Sequence, residues 1–436
     1  MSEDKLRLWA TWAAKPEPQA RDVAKLRLRV NDVMMTSVSD FARKEDRDFI
    51  RGSAVSLAFW FADNFWRLRY ESLPDDHAPS TNWRLRHDMT SAAGGTVWPP
   101  IMIHSTGDRV LFGPAFARPV DVGALRFAIA PIKTVDGETF VKAVDGFFEE
   151  VIATCALAVD GKVLEELVEQ IRAEYLEPDQ ALWRRLEARL GYDPDTVPQE
   201  VMLSFADLEG SVGDEALAEA AAAAPGRLAG VTLKRALEAA EASDIVVDLQ
   251  VAREIGADEL RSRPDVPAWE RGREAAKRVR AKEGFGDEPI RGKAFADLLR
   301  VTGESLNGRG TAGRLPYAAR LRDRGERQKI ALRSDYPRDR RFELSCALGD
   351  EIWTQANFGV ISRAKTDRQK FQRAFAQNLL VPYDGLKQRI DFENPTERQL
   401  KQAAVHYHVH ENVIRRLLIL ERVLPPETFE QRLEAA

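Results

Sequence analysis

Cysteine is scarce in this sequence. Only Cys155 and Cys346 occur in 436 residues, and they lie far apart. A disulfide-stapled fold needs several cysteines and a zinc ribbon needs CxxC pairs, so the composition argues against both classes of protein. The chain also lacks an intact H-E-x-x-H sequence, the signature of a zinc metallopeptidase helix.

Long hydrophobic runs are missing as well. No apolar run reaches about 18 residues, the length needed to cross a membrane. The first residues, MSEDKLRLWATWAAKPEP, have no apolar core and no small-residue cleavage site of a signal peptide. We therefore expect a cytoplasmic protein with no membrane partner. The net charge of −5 excludes attraction of nucleic acid by the molecule as a whole, so any such binding needs a local patch.

The composition is that of a globular protein, and one stretch of the sequence has a distinctive pattern. Hydrophobic residues make up 44% of the chain, enough for a real core. Residues 340–353, RRFELSCALGDEIW, have helical spacing of apolar residues. A zinc peptidase helix carries two histidines four residues apart and a glutamate beside the first. Here those three places are Cys346, Ala347 and Asp350.

The residues around these places resemble the ImmA/IrrE metallopeptidases. RRFELSCALGDEI is similar to that family's R-R-F-T-L-A-H-E-L-G-H-L-L, and KIALRSD (329–335) stands where the family has the strand before its zinc helix. FAQNLLVP (375–382) resembles F-A-A-E-L-L-M-P. LKQAAVHYHVHENVIRRLL (400–418) resembles the family's helix-turn-helix-like segment. The resemblance covers roughly residues 270–436.

The family consists of intracellular bacterial enzymes that cleave helix-turn-helix repressors and so release stress, mobile-element or prophage genes. The resemblance implies a zincin-like domain with a small sheet and a helix-turn-helix-like tail. It also implies a carboxylate as third zinc ligand, from the run before F-A-A-E-L-L-M-P. That run here contains Gln369, Lys370, Phe371 and Gln372, and Asp367 is the nearest carboxylate.

Three hypotheses follow from the substituted ligands. The favoured one is an inactive site without a cofactor, in which Cys346 is a small buried apolar residue. In the second, Cys346 and Asp350, with Asp367 as a further candidate, bind zinc without catalysis. The third is a working hydrolase with another general base, because Ala347 cannot act as one. Glu351 points about 100° away from Asp350 around the helix axis, and Glu343 lies about one turn before Ala347.

The fold class predicted is α+β and predominantly helical. We predict a helical segment at 1–45, an α+β domain rich in Trp and Arg at 46–160, a helical region at 161–265, an ImmA/IrrE-like domain at 266–390 and a helix-turn-helix-like tail at 391–436.

Two basic regions have open interpretations. The block around residues 59–100 mixes Trp and Arg, which suits either a core or a surface for a ligand or nucleic acid. The surface candidates are Arg67, Arg69, Arg84, Arg86 and His87. The stretch 309–341 is either a solvated face or a surface for an acidic protein or DNA.

The sequence HYHVH (406–410) admits two interpretations. If it is extended, three histidines point to one side and suit a metal. In the family pattern, His408 falls at the turn between two helices and His410 at the cap of the second. We favour the turn, because histidine tolerates left-handed backbone better than most residues do.

Together these features predict a catalytically inactive regulatory or recognition protein of a bacterial stress, mobile-element or phage-defence system. We expect a protein partner such as a repressor, a toxin or another defence component. The alternatives are an active metal-dependent endopeptidase with unusual ligands, and a DNA-binding regulator.

Overall fold

A computed structural model of the protein describes its residues in these ranges: 4–12, 22–74, 79–116, 120–155, 159–255, 257–261, 263, 266–301, 315–323 and 327–426. The chain divides into two compact units, which we call the N-terminal unit (Met1–Val197) and the C-terminal unit (Pro198–Ala436). About 52% of the protein is helical and 17% is strand, in small antiparallel sheets. The predicted mixed α+β class, with helix predominant, is therefore confirmed.

The N-terminal unit contains small sheets and helices. Its strands are β1 (Leu6–Trp12), β2 (Val23–Val30), β3 (Val33–Met34), β4 (Val38–Asp40), β5 (Glu45–Arg47), β6 (Ile50–Ser53), β7 (Ile101–Ser105), β8 (Arg109–Pro114), β9 (Asp121–Val122), β10 (Leu125–Phe127) and β11 (Lys133–Asp136). Its helices are α1 (Ala54–Asp63), α2 (Phe65–Tyr70), α3 (Thr81–His87), α4 (Gly137–Cys155), α5 (Val159–Leu176) and α6 (Pro178–Arg189).

The prediction that residues 1–45 are helical is wrong. In LRLWATW (6–12) and VAKLRLRV (23–30), buried residues alternate with more exposed ones, which is the two-residue period of a strand with one buried face. Strand β2 lies between β1 on one edge and both β3 and β6 on the other, all antiparallel. The inner face of this sheet carries Leu8, Leu26 and Leu28, which belong to a core shared with α1 and α4.

In its described residues, the C-terminal unit contains one antiparallel sheet. Its strands are β12 (Val246–Asp248), β13 (Ala318–Arg322), β14 (Arg327–Ala331) and β15 (Phe358–Ile361), in the order β12-β14-β13-β15. Its helices are α7 (Gln199–Val212), α8 (Asp214–Ala223), α9 (Ala229–Glu241), α10 (Ala257–Arg261), α11 (Ala268–Lys282), α12 (Gly292–Leu299), α13 (Pro337–Trp353), α14 (Asp367–Leu380), α15 (Tyr383–Lys387), α16 (Glu397–Tyr407) and α17 (Glu411–Leu420).

The predicted segment boundaries need correction. The units separate between Val197 and Pro198, inside the region 161–265 that the sequence analysis treats as one helical segment. Strand β12 also lies in that region, and it pairs with β14 in the sheet of the C-terminal unit. A boundary at 265/266 would therefore cut through a hydrogen-bonded sheet.

None of the helices in the described ranges has the length and hydrophobicity to cross a bilayer.

Candidate functional site

Helix α13 carries Cys346, Ala347 and Asp350, the positions that the sequence analysis compares with the two histidines and the glutamate of a zinc motif. Pro337 lies in its first turn, where a missing backbone N–H costs no hydrogen bond. Buried residues occur all around α13, as expected of a helix with neighbours on every side. Cys346, Ala347 and Asp350 all lie in the interior, with Ala347 and Asp350 fully inaccessible to solvent.

Helix α14 crosses α13 closely. A Cβ atom on Gly349 would lie 3.0 Å from the Phe375 ring, so a larger residue would force this side chain to shift. On another side of α14, a Cβ on Gly272 of α11 would lie 2.5 Å from the Phe371 carbonyl oxygen. Gly349 of RRFELSCALGDEIW thus has a packing reason: its small size allows α14 to approach α13 closely.

Asp350 is held by four short hydrogen bonds. Arg320 Nε donates to its Oδ2 at 2.6 Å. Arg368 donates from Nε to Oδ1 at 2.6 Å and from Nη2 to Oδ2 at 2.9 Å. Gln372 Nε2 donates to Oδ1 at 2.6 Å. We call Asp350, Arg320, Arg368 and Gln372 the Asp350 cluster. All four side chains are buried.

The charge of Asp350 is stabilised by its two arginines. Burial opposes ionisation of the carboxyl group, but Arg368 and Arg320 outweigh it, so the pKa of Asp350 lies below its usual range. Gly359 of β15 leaves room for the cluster, because a Cβ there would collide with Asp350 Oδ2 and with the Arg320 side chain.

Arg320 also connects the cluster to a second buried carboxylate. Its Nη1 lies 3.0 Å from Glu351 Oε2 and donates to Gln328 Oε1. Glu351 is almost fully buried and also pairs with Arg322 at 2.8 Å. Glu351 therefore has structural partners at its carboxylate, which does not suit a general base.

Glu343, the other base considered, has structural partners as well. Its Oε2 accepts hydrogen bonds from the backbone N–H groups of Arg333 and Ser334, at 2.9 and 3.3 Å. Burial raises its pKa, opposed by Arg333 and these backbone donors. The carboxylate thus fixes the loop that leads into α13.

A third buried carboxylate, Glu219 of α8, faces the start of α14. Its Oε2 accepts from Thr366 Oγ1 at 2.8 Å and from Gln369 Nε2 at 2.9 Å. Burial raises the pKa of Glu219, and the positive charge of Arg368 opposes this only in part. Both donors are neutral, so the site does not depend on a charged Glu219.

We expect Glu219→Gln to preserve or increase stability at neutral pH. A carboxyl group whose pKa is raised on folding makes the free energy of unfolding fall as pH rises from the unfolded value near 4.5 through the folded value. Glutamine keeps an acceptor oxygen for Thr366 and Gln369 and removes this dependence. Thermal unfolding of both proteins between pH 4 and 8 measures it; a melting temperature that drops uniformly across this range would contradict it.

These residues do not suit a zinc ion. Zinc requires a thiolate from Cys346, but burial raises the pKa of this thiol well above its ordinary value. The Asp350 oxygens already face two guanidinium groups, which would repel a metal cation. Asp367 lies in the first turn of α14, 3.8 Å from Lys370 Nζ. The described part of the chain holds no group of three His, Cys, Asp or Glu side chains arranged for a metal.

The predicted turn at HYHVH is confirmed. Helix α16 ends at Tyr407 and is capped by His408, whose φ of 55° is left-handed. His410 caps α17, with its Nδ1 accepting a hydrogen bond from the Asn412 backbone N–H at 3.3 Å. His406 precedes the turn, with its Nε2 3.9 Å from Glu288 Oε2. The histidines thus lie at a helix end, a turn and a cap, and the extended strand that the metal hypothesis requires is not formed.

Two of the N-terminal surface candidates need correction. Arg67 is buried and pairs with Glu71 at 2.5 Å and Asp193 at 3.1 Å. His87 is fully buried, with Nε2 2.8 Å from Glu71 Oε2 and Nδ1 2.7 Å from the Ile103 carbonyl oxygen. Both side chains fix α2 and α3 to their surroundings and cannot reach a ligand in this fold.

The other three candidates are partly exposed. Arg69 donates to the Gly107 carbonyl oxygen at 3.0 Å, Arg84 to Thr81 Oγ1 at 3.3 Å and Arg86 to Asp193 Oδ2 at 2.6 Å. Their role in contacting a ligand stays a prediction.

Fewer cations of the basic stretch 309–341 can contact a partner than its sequence indicates. Residues 309–314 and 324–326 lie outside the described residues, and of the remainder Arg320, Arg340 and Arg341 are buried. These three arginines therefore belong neither to a solvated face nor to a surface for DNA.

Sequence reasoning missed most of the Asp350 cluster. The cluster members Arg320 and Arg368, and the neighbouring Glu219, carry no motif, since their partners are distant in sequence. Gln372 had a usable signal, because it stands in the run where the family has its third zinc ligand.

Comparisons with protein-family models, with curated proteins and with solved structures gave no significant match. The interpretation of the site therefore rests on its own geometry and on the motifs in the sequence.

Proposed function

We propose that the protein is a catalytically inactive relative of the ImmA/IrrE metallopeptidases. In this proposal it acts as a regulatory or recognition protein in a bacterial stress, mobile-element or phage-defence system. The observation that carries the proposal is the Asp350 cluster. Two guanidinium groups lie against the residue at the second histidine position, so positive charge from the protein stands where the family has zinc.

The contact between α13 and α14 supports the family resemblance. Asp350 stands at the second ligand position and Gln372 in the run of the third, and these two side chains are joined by a 2.6 Å hydrogen bond. The two helices are thus placed as a shared metal site would need, although their side chains are not ligands. The turn at His408 and the cap at His410 agree with the family's tail.

A protein partner is the part of the proposal that rests on resemblance alone. The family's enzymes recognise repressor proteins, and a scaffold that keeps its helices but not its ligands retains recognition without cleavage. The partner is therefore proposed to be a repressor, a toxin or another component of the same system.

The test is metal analysis of protein purified without a histidine tag. We expect zinc well below one equivalent per chain, and no change of melting temperature on adding zinc or a chelator, because a ligand that binds only the folded state would raise it. Stoichiometric zinc that is lost in Cys346→Ala or Asp350→Ala would overturn the proposal. Loss of zinc in His410→Ala alone would instead indicate adventitious binding in the tail, which leaves the proposal intact.

A further inference from the structure

The outer face of the sheet formed by β1, β2 and β6 is basic and aromatic. Alternate residues of these strands point away from the core. We call the following residues the basic sheet face: Arg7, Trp9, Lys25, Arg27, Arg29, Phe49 and Arg51. The strand register places Trp9 opposite Arg27 and Lys25 opposite Arg51, so the members are neighbours on one surface.

The cations of this face surround its two aromatic rings. The guanidinium carbon of Arg7 lies 4.6 Å from the centroid of the Trp9 ring, with those of Arg27 and Arg29 at 5.9 Å. Lys25 Nζ lies 4.9 Å from the Phe49 centroid. Arg27 also contacts Phe49, which joins the two groups. The face therefore presents aromatic rings and guanidinium planes side by side.

Four of these cations are exposed: Arg7, Lys25, Arg29 and Arg51. Within the described ranges none of them pairs with a carboxylate, whereas Arg27 is bonded to Asp48 at 3.1 Å. They also oppose one another directly across the strands, Arg7 against Arg29 and Lys25 against Arg51. Like charges in that position destabilise a sheet, so the arrangement does not serve the stability of the fold.

An open cavity of about 460 Å³ adjoins the face at its β6 end. Arg51 lines both the face and the cavity, together with Arg47, Ser53 and Thr96. Ser53 caps α1, and its Oγ accepts from the Ser56 N–H at 3.0 Å. Asp22 lines the cavity as well, and Arg47 is paired with Asp40 at 3.3 Å and with Glu45 at 3.5 Å, so Arg51 is the cation by which the cavity adjoins the face.

We propose that the basic sheet face binds single-stranded nucleic acid, a function separate from that of the Asp350 cluster. Exposed cations neutralise phosphates, and unpaired bases stack on aromatic rings and on guanidinium planes. A duplex fits less well, because the major groove admits an α-helix or a two-stranded ribbon and this face spans three strands. A membrane surface would require protruding apolar side chains, but Trp9 and Phe49 are half-buried among cations.

The test is a double charge reversal, Arg29→Glu with Arg51→Glu, in the full chain. It removes positive charge from the face and converts both like-charge pairs into attractive pairs, Arg7 with residue 29 and Lys25 with residue 51. The matched control is Lys142→Glu with Lys162→Glu, an equal charge change at exposed positions of α4 and α5.

Binding is measured by fluorescence anisotropy with labelled single-stranded DNA and RNA of about 12 nucleotides, a duplex of the same sequence, and anionic lipid vesicles. We expect the double reversal to weaken single-strand binding at least about tenfold and to lower the salt slope by about 1.4, while the control stays within about twofold. The ratio of the DNA and RNA affinities shows whether the face prefers a deoxyribose or a ribose strand.

The melting temperature separates binding from folding. We expect the double reversal to melt at the same temperature as the unaltered protein or higher, so a loss of binding is not a loss of structure. The proposal is overturned if neither single strand binds at low salt, if the control loses as much as the double reversal, or if only duplex or vesicles bind.

Discussion

Replacing Asp350 with asparagine is expected to lower the free energy of unfolding of the C-terminal unit by about 3–5 kcal/mol. Asparagine is nearly isosteric, so the packing of α13 is kept. Two buried guanidinium groups, those of Arg320 and Arg368, would however lose their shared anion. A buried cation without a partner carries its full desolvation penalty, which is why breaking such a pair costs more than the pair contributes.

The measurement is urea denaturation at pH 7, with Glu219→Gln as the matched contrast. Both changes neutralise a buried carboxyl group of the same unit, but Glu219 accepts from neutral donors, whereas Asp350 faces two arginines. We expect a large loss of stability in Asp350→Asn and none in Glu219→Gln. A loss of less than about 1 kcal/mol in Asp350→Asn would contradict a structural role for the cluster.

The contribution of Asp350 should also depend on pH. Because its pKa is lowered on folding, the stabilisation is present above the unfolded value of 3.8 and is lost as pH falls through the folded value. The stability difference between the unaltered protein and Asp350→Asn should therefore shrink as pH falls below 3.8.

Gly272→Ala is expected to destabilise the C-terminal unit by about 1–3 kcal/mol. The added methyl group would lie 2.5 Å from the Phe371 carbonyl oxygen and 3.1 Å from the Phe375 backbone nitrogen. Both are backbone atoms of α14, so no side chain can rotate away and the two helices have to separate. Asp350 is bonded to α14 through Arg368 and Gln372, so the displacement would reach the cluster.

Gly210→Ala is the control for this change. Gly210 also lies inside a helix, α7, but a Cβ there meets no atom within 4 Å. Alanine should stabilise that helix by about 0.5–1 kcal/mol, because it restricts the unfolded chain and has a higher helix propensity. The melting temperatures of the two variants should therefore move in opposite directions. A neutral Gly272→Ala would show that α11 and α14 are not in close contact.

The helices with strong local signals could be predicted from the sequence. Residues 137–155 have strong apolar periodicity, residues 367–380 combine it with Pro382 shortly after their end, and both ranges are helical. The turn at His408 could be predicted because a short pattern fixes it. In these places local sequence and the final fold agree.

The strands at the start of the chain were missed for a reason that the sequence contains. Residues 24–30 alternate between apolar and basic side chains, which indicates a strand, but arginine, lysine and leucine also favour helix, so the two signals conflict. The face that results could not be foreseen, because it needs the pairing of residues 6–12 with 24–30.

Buried arginines are the second feature that could not be predicted from the sequence. Arg67 and the cluster arginines look like surface cations in sequence, since arginine is rarely buried without a partner. Their partners lie far along the chain, as Asp193 does from Arg67 and Asp350 from Arg320. Only the folded structure shows that these charges are satisfied internally.

The Asp350 cluster also constrains how the sequence can evolve. Histidine at position 350 alone would leave Arg320 and Arg368 without their anion, and loss of either arginine alone would leave Asp350 undercompensated. The three positions are therefore epistatic: each is tolerated only in the presence of the others. Any exchange of this cluster for a metal site by single substitutions would therefore pass through a protein with an unpaired buried charge, at a cost of about 3–5 kcal/mol.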